Sequence, residues 1–312
     1  MNPFDIVFFL VGLLGLYLGA EWMVGGASRL AVNVGIRPIV VGLTVVAFGT
    51  SSPELAVSLI AVFEQSDGIA IGNIIGSNIA NIGLILGVSA LVKPLRVDSG
   101  VLRRELPIMV VVSILFIALL YDGTIGLWDG CILFAGLLSY LGYQLKDVFK
   151  GDTQDKDARL GEASAPRNGW NVMLILVGLG LLVVGAKLMI DSGVVIARQF
   201  GISEIVIGIA LVAIGTSLPE LATSLVSALR GESDISVGNI IGSNLFNIMC
   251  VVGLVAIVSP ISVDRELLYF ELPIMLVFSL ILFPFMRTGF VLSRLEGGLL
   301  LLGYGLFIFS LF

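Results

Sequence analysis

Histidine is absent from all 312 residues. Any mechanism that needs an imidazole as metal ligand, proton relay or triad base is thereby excluded. Cysteine is nearly as scarce. Cys131 and Cys250 both lie in apolar runs, which leaves neither a disulfide framework nor a zinc site. Charged residues make up only 13% of the chain, against about 25% in soluble domains. No nucleic-acid partner is expected. What fills the place of charge is hydrophobic: 57% of the residues, with a mean hydropathy of +1.08. A helix needs about 20 apolar residues to cross a bilayer, and runs of that length recur throughout. The first of them has no basic residues ahead of it, so it reads as a span and not as a cleaved signal.

A hydropathy walk places ten spans at 4–24, 39–63, 69–92, 106–121, 127–145, 172–190, 205–229, 235–258, 272–286 and 291–311. The expected fold is an all-α polytopic membrane protein of ten transmembrane helices in two inverted five-helix repeats. The first repeat takes residues 1–145 and the second 170–312. A polar linker, 146–169, with five basic and five acidic side chains, joins them. Residues 39–87 overlay 205–253 without a gap at a constant offset of 166, and about half the positions are identical. GTSSPELAVS at 49–58 becomes GTSLPELATS at 215–224; GNIIGSNIAN at 72–81 becomes GNIIGSNLFN at 238–247.

Five spans per repeat is an odd number, so the second copy sits upside down relative to the first. Lysine and arginine placement assigns the sides. All but three of them follow odd-numbered spans, the exceptions being Lys187, Arg198 and Arg265. That side is read as cytoplasmic, with the linker inside and both termini outside. Inverted repeats with a substrate site near the midplane characterise transporters.

Glu54 and Glu220 stand at mid-span, where a carboxylate costs at least about 2.5–3.5 kcal/mol and needs a partner. No lysine, arginine or histidine lies in the same stretch, so a bound cation is the available counter-charge. Ala47, Thr50, Ser51 and Glu54 share one helix face, as do Ala213, Thr216, Ser217 and Glu220. Pro53 and Pro219 cannot donate to the carbonyls four residues back. Unwinding there would release carbonyls around Ala47 and Thr50. Ser77 and Asn81, with Ser243 and Asn247, are expected to line the same site from the next span. Asn73, Asn78, Asn239 and Asn244 are better explained by hydrogen bonds between helices. Glycine pairs 72/76 and 238/242 would allow close helix contact. Glu21, Glu105, Lys187 and Glu271 lie near span ends and read as interfacial charges. Carboxylate, hydroxyl and carbonyl oxygens suit hard cations such as Ca²⁺.

At these residues the chain resembles the sodium/calcium exchanger branch of the cation/calcium exchanger superfamily. The two GTSxPEL and GNIIGSN segments look like that family's paired repeats. The resemblance implies a sodium/calcium antiporter of the cell membrane working by alternating access, with spans 1 and 6 sliding as a gate. It implies Ca²⁺ held by Glu54, Glu220 and the Thr50 and Thr216 carbonyls. Flanking Na⁺ sites would use Ala47, Ser51, Ser77 and Glu220, and Ala213, Ser217, Ser243 and Glu54. Asn81 and Asn247 would border the middle position. The ions are substrates, no cofactor is expected, and a monomer would suffice. Asparagine at both 81 and 247 argues against potassium coupling. Three Na⁺ per Ca²⁺, and hence an electrogenic cycle, comes from the resemblance alone. Three other readings remain: a proton/calcium exchanger, a cation channel and an intramembrane enzyme. The first is disfavoured by the Thr-Ser pair before the acid, the second by the inverted halves, and the third by the missing base.

The basic-residue count carries its own test. A cysteine placed in the 146–169 linker is predicted to react with an impermeant reagent only from the cytoplasmic side, and one at the C-terminus only from outside. The reverse pattern would invert the assignment.

Overall fold

A computed structural model describes residues 3–150, 168–200, 215–263 and 265–311. Among the described residues ten main helices follow one another, with a short helix, Arg265–Tyr269, ahead of the ninth. They are α1 (Pro3–Val34), α2 (Pro38–Phe63), α3 (Asp67–Val92), α4 (Val101–Asp122), α5 (Leu127–Lys150), α6 (Asn168–Gln199), α7 (Leu218–Arg230), α8 (Ser233–Val258), α9 (Glu271–Arg287) and α10 (Arg294–Ser310). Seven helices among the described residues are long and apolar enough to cross a bilayer. Residues 201–214, the expected first part of span 7, lie outside the described residues, as does most of the linker.

α3 and α8 form the centre and are buried over most of their length. α1, α6 and α9 turn most of their surface outward. Apolar side chains on that outer face fit a lipid surround. Two short antiparallel ladders tie the halves together at opposite ends. β1 (Leu95–Arg96) pairs with β4 (Val291–Leu292), and β2 (Thr124–Ile125) with β3 (Ile261–Ser262). Leu95 and Ile261 are equivalent by the 166 offset yet sit in different ladders, which is the mark of an inverted copy. The last hairpin of the second half carries one extra residue, Phe290, at φ 54, after Gly289 at φ 67. From there the offset becomes 167. Thus Gly130 approaches the Gly253 carbonyl and Gly297 the Gly87 carbonyl at matching contacts: a Cβ would fall 2.6 and 2.8 Å from those oxygens.

α1 and α6 run antiparallel in backbone contact. A Cβ on Gly12 would stand 2.7 Å from the Gly185 carbonyl oxygen, one on Gly19 would stand 2.7 Å from that of Gly178, and one on Gly26 would stand 2.8 Å from that of Asn171. The spacing is seven residues on each helix, so one seam recurs every two turns. Small residues let backbones meet where lipid offers no hydrophobic drive. The expected glycine pair 238/242 behaves likewise against α2, with the Ile39 and Leu43 carbonyls 2.8 and 2.7 Å from the Cβ positions. No described residue approaches the Cβ positions of Gly72 and Gly76; the corresponding segment of span 7 lies outside the described residues.

Any side chain at the seam must push backbones apart. Gly178→Ala is predicted to destabilise by about 1–3 kcal/mol, the usual cost of overpacking. Gly180→Ala, on the open face with nothing within 4 Å, should leave the melting temperature unchanged. Thermal unfolding of the two purified variants checks both.

Candidate functional site

The sequence places a proline immediately before each mid-span glutamate, and the helices break two residues ahead of that proline. Ser51 adopts φ −82, ψ 4 and Ser217 φ −86, ψ 7, and α7 and the second part of α2 restart at the next residue. The backbone near Ala47 stays more engaged than the proline alone predicts. Its carbonyl accepts from Ser51 N (2.9 Å) and lies 3.3 Å from Thr50 Oγ1. The restarted helices present Glu54 and Glu220 in their first turns, both fully buried. The positive end of each helix dipole therefore faces a carboxylate.

Each carboxylate is held by the opposite repeat. Ser51 Oγ donates to Glu220 Oε1 (3.2 Å) and Ser217 Oγ to Glu54 Oε1 (3.4 Å). Thr50 Oγ1 donates to Asn239 Oδ1 and Thr216 Oγ1 to Asn73 Oδ1, both at 3.1 Å. Ser243 Oγ lies 3.4 Å from Thr50 Oγ1, and Ser77 Oγ 3.3 Å from Thr216 Oγ1. The asparagines complete the frame. Asn73 Nδ2 donates to the Glu54 carbonyl (3.3 Å) and Ser58 Oγ (3.1 Å); Asn239 Nδ2 donates to the Glu220 carbonyl (3.4 Å) and Ser224 Oγ (2.9 Å). Every bond has its repeat partner.

A second layer uses the other asparagines. Asn81 Nδ2 donates to Asn244 Oδ1 (2.9 Å) and Asn247 Nδ2 to Asn78 Oδ1 (3.1 Å). Asn78 and Asn244 in turn donate to the thioethers of Met275 (3.6 Å) and Met109 (3.7 Å). Asn81 and Asn247 each open a π-helical turn, Asn81–Leu86 and Asn247–Val252. Such turns are frequent at functional sites because they re-aim side chains within a helix.

Four oxygens in this interior are buried with no hydrogen-bond partner: Glu54 Oε2, Glu220 Oε2, Asn81 Oδ1 and Asn247 Oδ1. All four are acceptors. Each unmet buried acceptor costs about 1–3 kcal/mol, and more for a charged group, unless a donor, a water or a cation meets it.

The structure thus brings together Thr50, Ser51, Glu54, Ser77, Thr216, Ser217, Glu220 and Ser243, beside the buried Ala47. Asn81 and Asn247 stand in the second layer, bonded to Asn244 and Asn78. Ala213 lies outside the described residues. Asn73, Asn78, Asn239 and Asn244 make the inter-helix hydrogen bonds expected of them. Glu105 differs from its reading as an interfacial charge. It is buried, accepting from Tyr140 OH (2.8 Å) and Gln144 Nε2 (3.3 Å). Ser58, Ser224, Met109 and Met275 were not singled out from the sequence. The 166 offset relates both pairs and is the signal that could have found them.

The comparisons with known proteins meet this geometry. A family model described as Sodium/calcium exchanger protein matches residues 4–146 and 170–312. The match makes this molecule a membrane transporter assembled from two halves. The chain belongs to the sodium/calcium exchanger family. It is 42% identical over 277 residues to the inner membrane protein YrbG of Escherichia coli (strain K12), covering 87% of this chain and 85% of that one. It is 32% identical to the sodium/calcium exchanger MaX1 of Methanosarcina acetivorans, covering 100% and 99%. The fold matches the sodium-calcium exchanger NCX_Mj with a TM-score of 0.86, at 33% identity and full coverage of both chains.

Asn73 touches three elements of the frame at once. Asn73→Ala removes two donated bonds and the acceptor of Thr216. A stability loss of about 1–3 kcal/mol is expected from the groups left unpaired, with Asn73→Ser, which keeps a polar group, closer to wild type. Chemical denaturation in detergent measures it.

Proposed function

We propose that this protein is a secondary antiporter that exchanges Na⁺ for Ca²⁺ across the cell membrane by alternating access. The observation that carries the reading is the paired carboxylates, each with one oxygen tied to the other repeat and one oxygen buried without a partner among the described residues. Two such acids repel one another strongly where the dielectric is low. A divalent cation between them cancels both charges. Ca²⁺ takes 6–8 oxygen ligands in flexible geometry. Glu54 and Glu220, the Asn81 and Asn247 side-chain oxygens and the Thr50 and Thr216 carbonyls together offer such a set. Ser51, Ser77 and Ala47 on one flank, and Ser217 and Ser243 on the other, provide neutral oxygens suited to the weaker field of Na⁺; the repeat would add Ala213 to the second set.

Two formal negative charges balance one Ca²⁺ or two Na⁺. A cycle of three Na⁺ per Ca²⁺ leaves one positive charge over, and transport then carries current. The neutral Asn81 and Asn247 give no added charge for potassium. Basic residues concentrated after odd-numbered spans put the linker in the cytoplasm and both termini outside, and the intact site within one chain makes a monomer the working unit.

Proteoliposomes loaded with sodium test the reading. Calcium uptake is expected to need the sodium gradient, to proceed without potassium and to respond to membrane voltage. Glu54→Gln and Glu220→Gln keep the shape but remove a charge, so each should abolish uptake. Near wild-type flux in either variant sinks the site. Uptake that ignores sodium and follows a pH gradient would favour proton coupling instead.

A further inference from the structure

Serine and threonine hydroxyls in the helices of this protein commonly return to the carbonyl four residues back. Thr44 donates to Val40 O (2.7 Å), Ser113 to Met109 O (2.9 Å), Ser139 to Ala135 O (2.8 Å) and Ser279 to Met275 O (3.0 Å). Three fully buried hydroxyls make neither that bond nor any other to a described residue. Ser89, Thr223 and Ser227 are each 0% exposed, and their oxygens have no partner.

These three belong together in the fold. Thr223 and Ser227 stand three and seven residues beyond Glu220 on α7, on the face of the carboxylate. Ser89 lies on the last segment of α3, Gly87–Val92, beyond the π turn that starts at Asn81, and this segment packs against α7. Both helices run from the central site to one membrane face. There Lys93 Nζ donates to the Leu229 carbonyl (3.2 Å) and closes the end of the pair.

The other repeat lacks the feature. At the 166 offset, Ser89 corresponds to Val255, Thr223 to Val57 and Ser227 to Ala61. Those residues lie on the matching helix pair, the second part of α2 against the last segment of α8, at the opposite face. The central site obeys the repeat bond for bond, whereas these three positions break it in one direction.

A buried hydroxyl without a partner destabilises a fold unless water or an ion visits it. A hydroxyl supplies both an acceptor for a cation and a donor for its water, without the tight hold of a carboxylate. We propose that Ser89, Thr223 and Ser227 line the hydrated route between the central site and the Lys93 face. The corresponding route to the other face, past Val57, Ala61 and Val255, is apolar.

The rate measurement rests on the exchange reading above; the labelling does not. In a background with Cys131 and Cys250 replaced by alanine, Ser227→Cys is expected to react with an impermeant thiol reagent from the Lys93 face, and Ala61→Cys from neither face. The triple variant Ser89→Ala, Thr223→Val, Ser227→Ala should slow calcium flux about tenfold, a barrier change of about 1.4 kcal/mol. Radioactive calcium binding at equilibrium in detergent should stay as in the wild type. An unreactive Ser227→Cys overturns the proposal, and it decides the matter if the triple variant fails to fold. Wild-type flux in a folded triple variant overturns it as well. Flux that proves independent of sodium would refute the exchange reading and leave the labelling result standing.

Discussion

Two carboxylates in a lipid-embedded interior are the constraint on which the rest of this structure depends. Among the described residues neither Glu54 nor Glu220 meets a basic side chain; each meets a serine from the other repeat. One repeat alone would therefore strand its own acid and leave its own serine without an acceptor. The broken helices at Ser51 and Ser217 exist to aim each acid, with the following N-terminus, at the shared centre. The asparagine frame then holds both breaks open by binding the carbonyls of the glutamates themselves. Removing any one of these parts exposes the cost of the others.

The mechanical consequence lies at the edge. α1 and α6 meet each other backbone to backbone along a seven-residue repeat of small residues. α1 also holds the α7–α8 turn through ionic and polar contacts: Arg230 pairs with Glu21, and Ser28 Oγ donates to Glu232 (2.8 Å). Close glycine contacts hold the two helices together, and their inward side chains, Met23 and Leu182 among them, share one apolar cluster with Val41, Val46, Leu218 and Ile235 of the neighbouring helices.

Much of this was legible in the sequence, and the limits are physical. A constant offset of 166 exposes the two copies, and parity alone then inverts the second. Prolines beside buried acids announce the breaks, because a missing N–H is a local fact. The π turns at Asn81 and Asn247 are different. They depend on how α3 and α8 pack at the centre, and hydropathy cannot distinguish a five-residue from a four-residue hydrogen bond. Met109 and Met275 read as ordinary apolar residues until tertiary packing brings asparagine amides onto their sulfurs. Glu105 reads as interfacial because it lies at the end of a span. Tyr140 and Gln144, which bury it, lie a whole span away.

Symmetry is strict at the centre and relaxed at the rims. The bonds around the glutamates come in matched pairs, yet the polar set around Glu105 has no copy. Arg104, Tyr140 and Gln144 correspond to Phe270, Phe307 and Leu311 in the second repeat. The ion pair of Arg37 with Asp98 (2.6 Å) is another feature of one end, since Ser203 replaces the arginine. A site that must be reached from both faces gains from presenting the same ligands to each. The rates at which it exchanges ions with the two sides can then differ through the approaches. Mutations at the centre therefore change both directions of transport together. Differences between the two directions have to be written in residues that the repeat does not share.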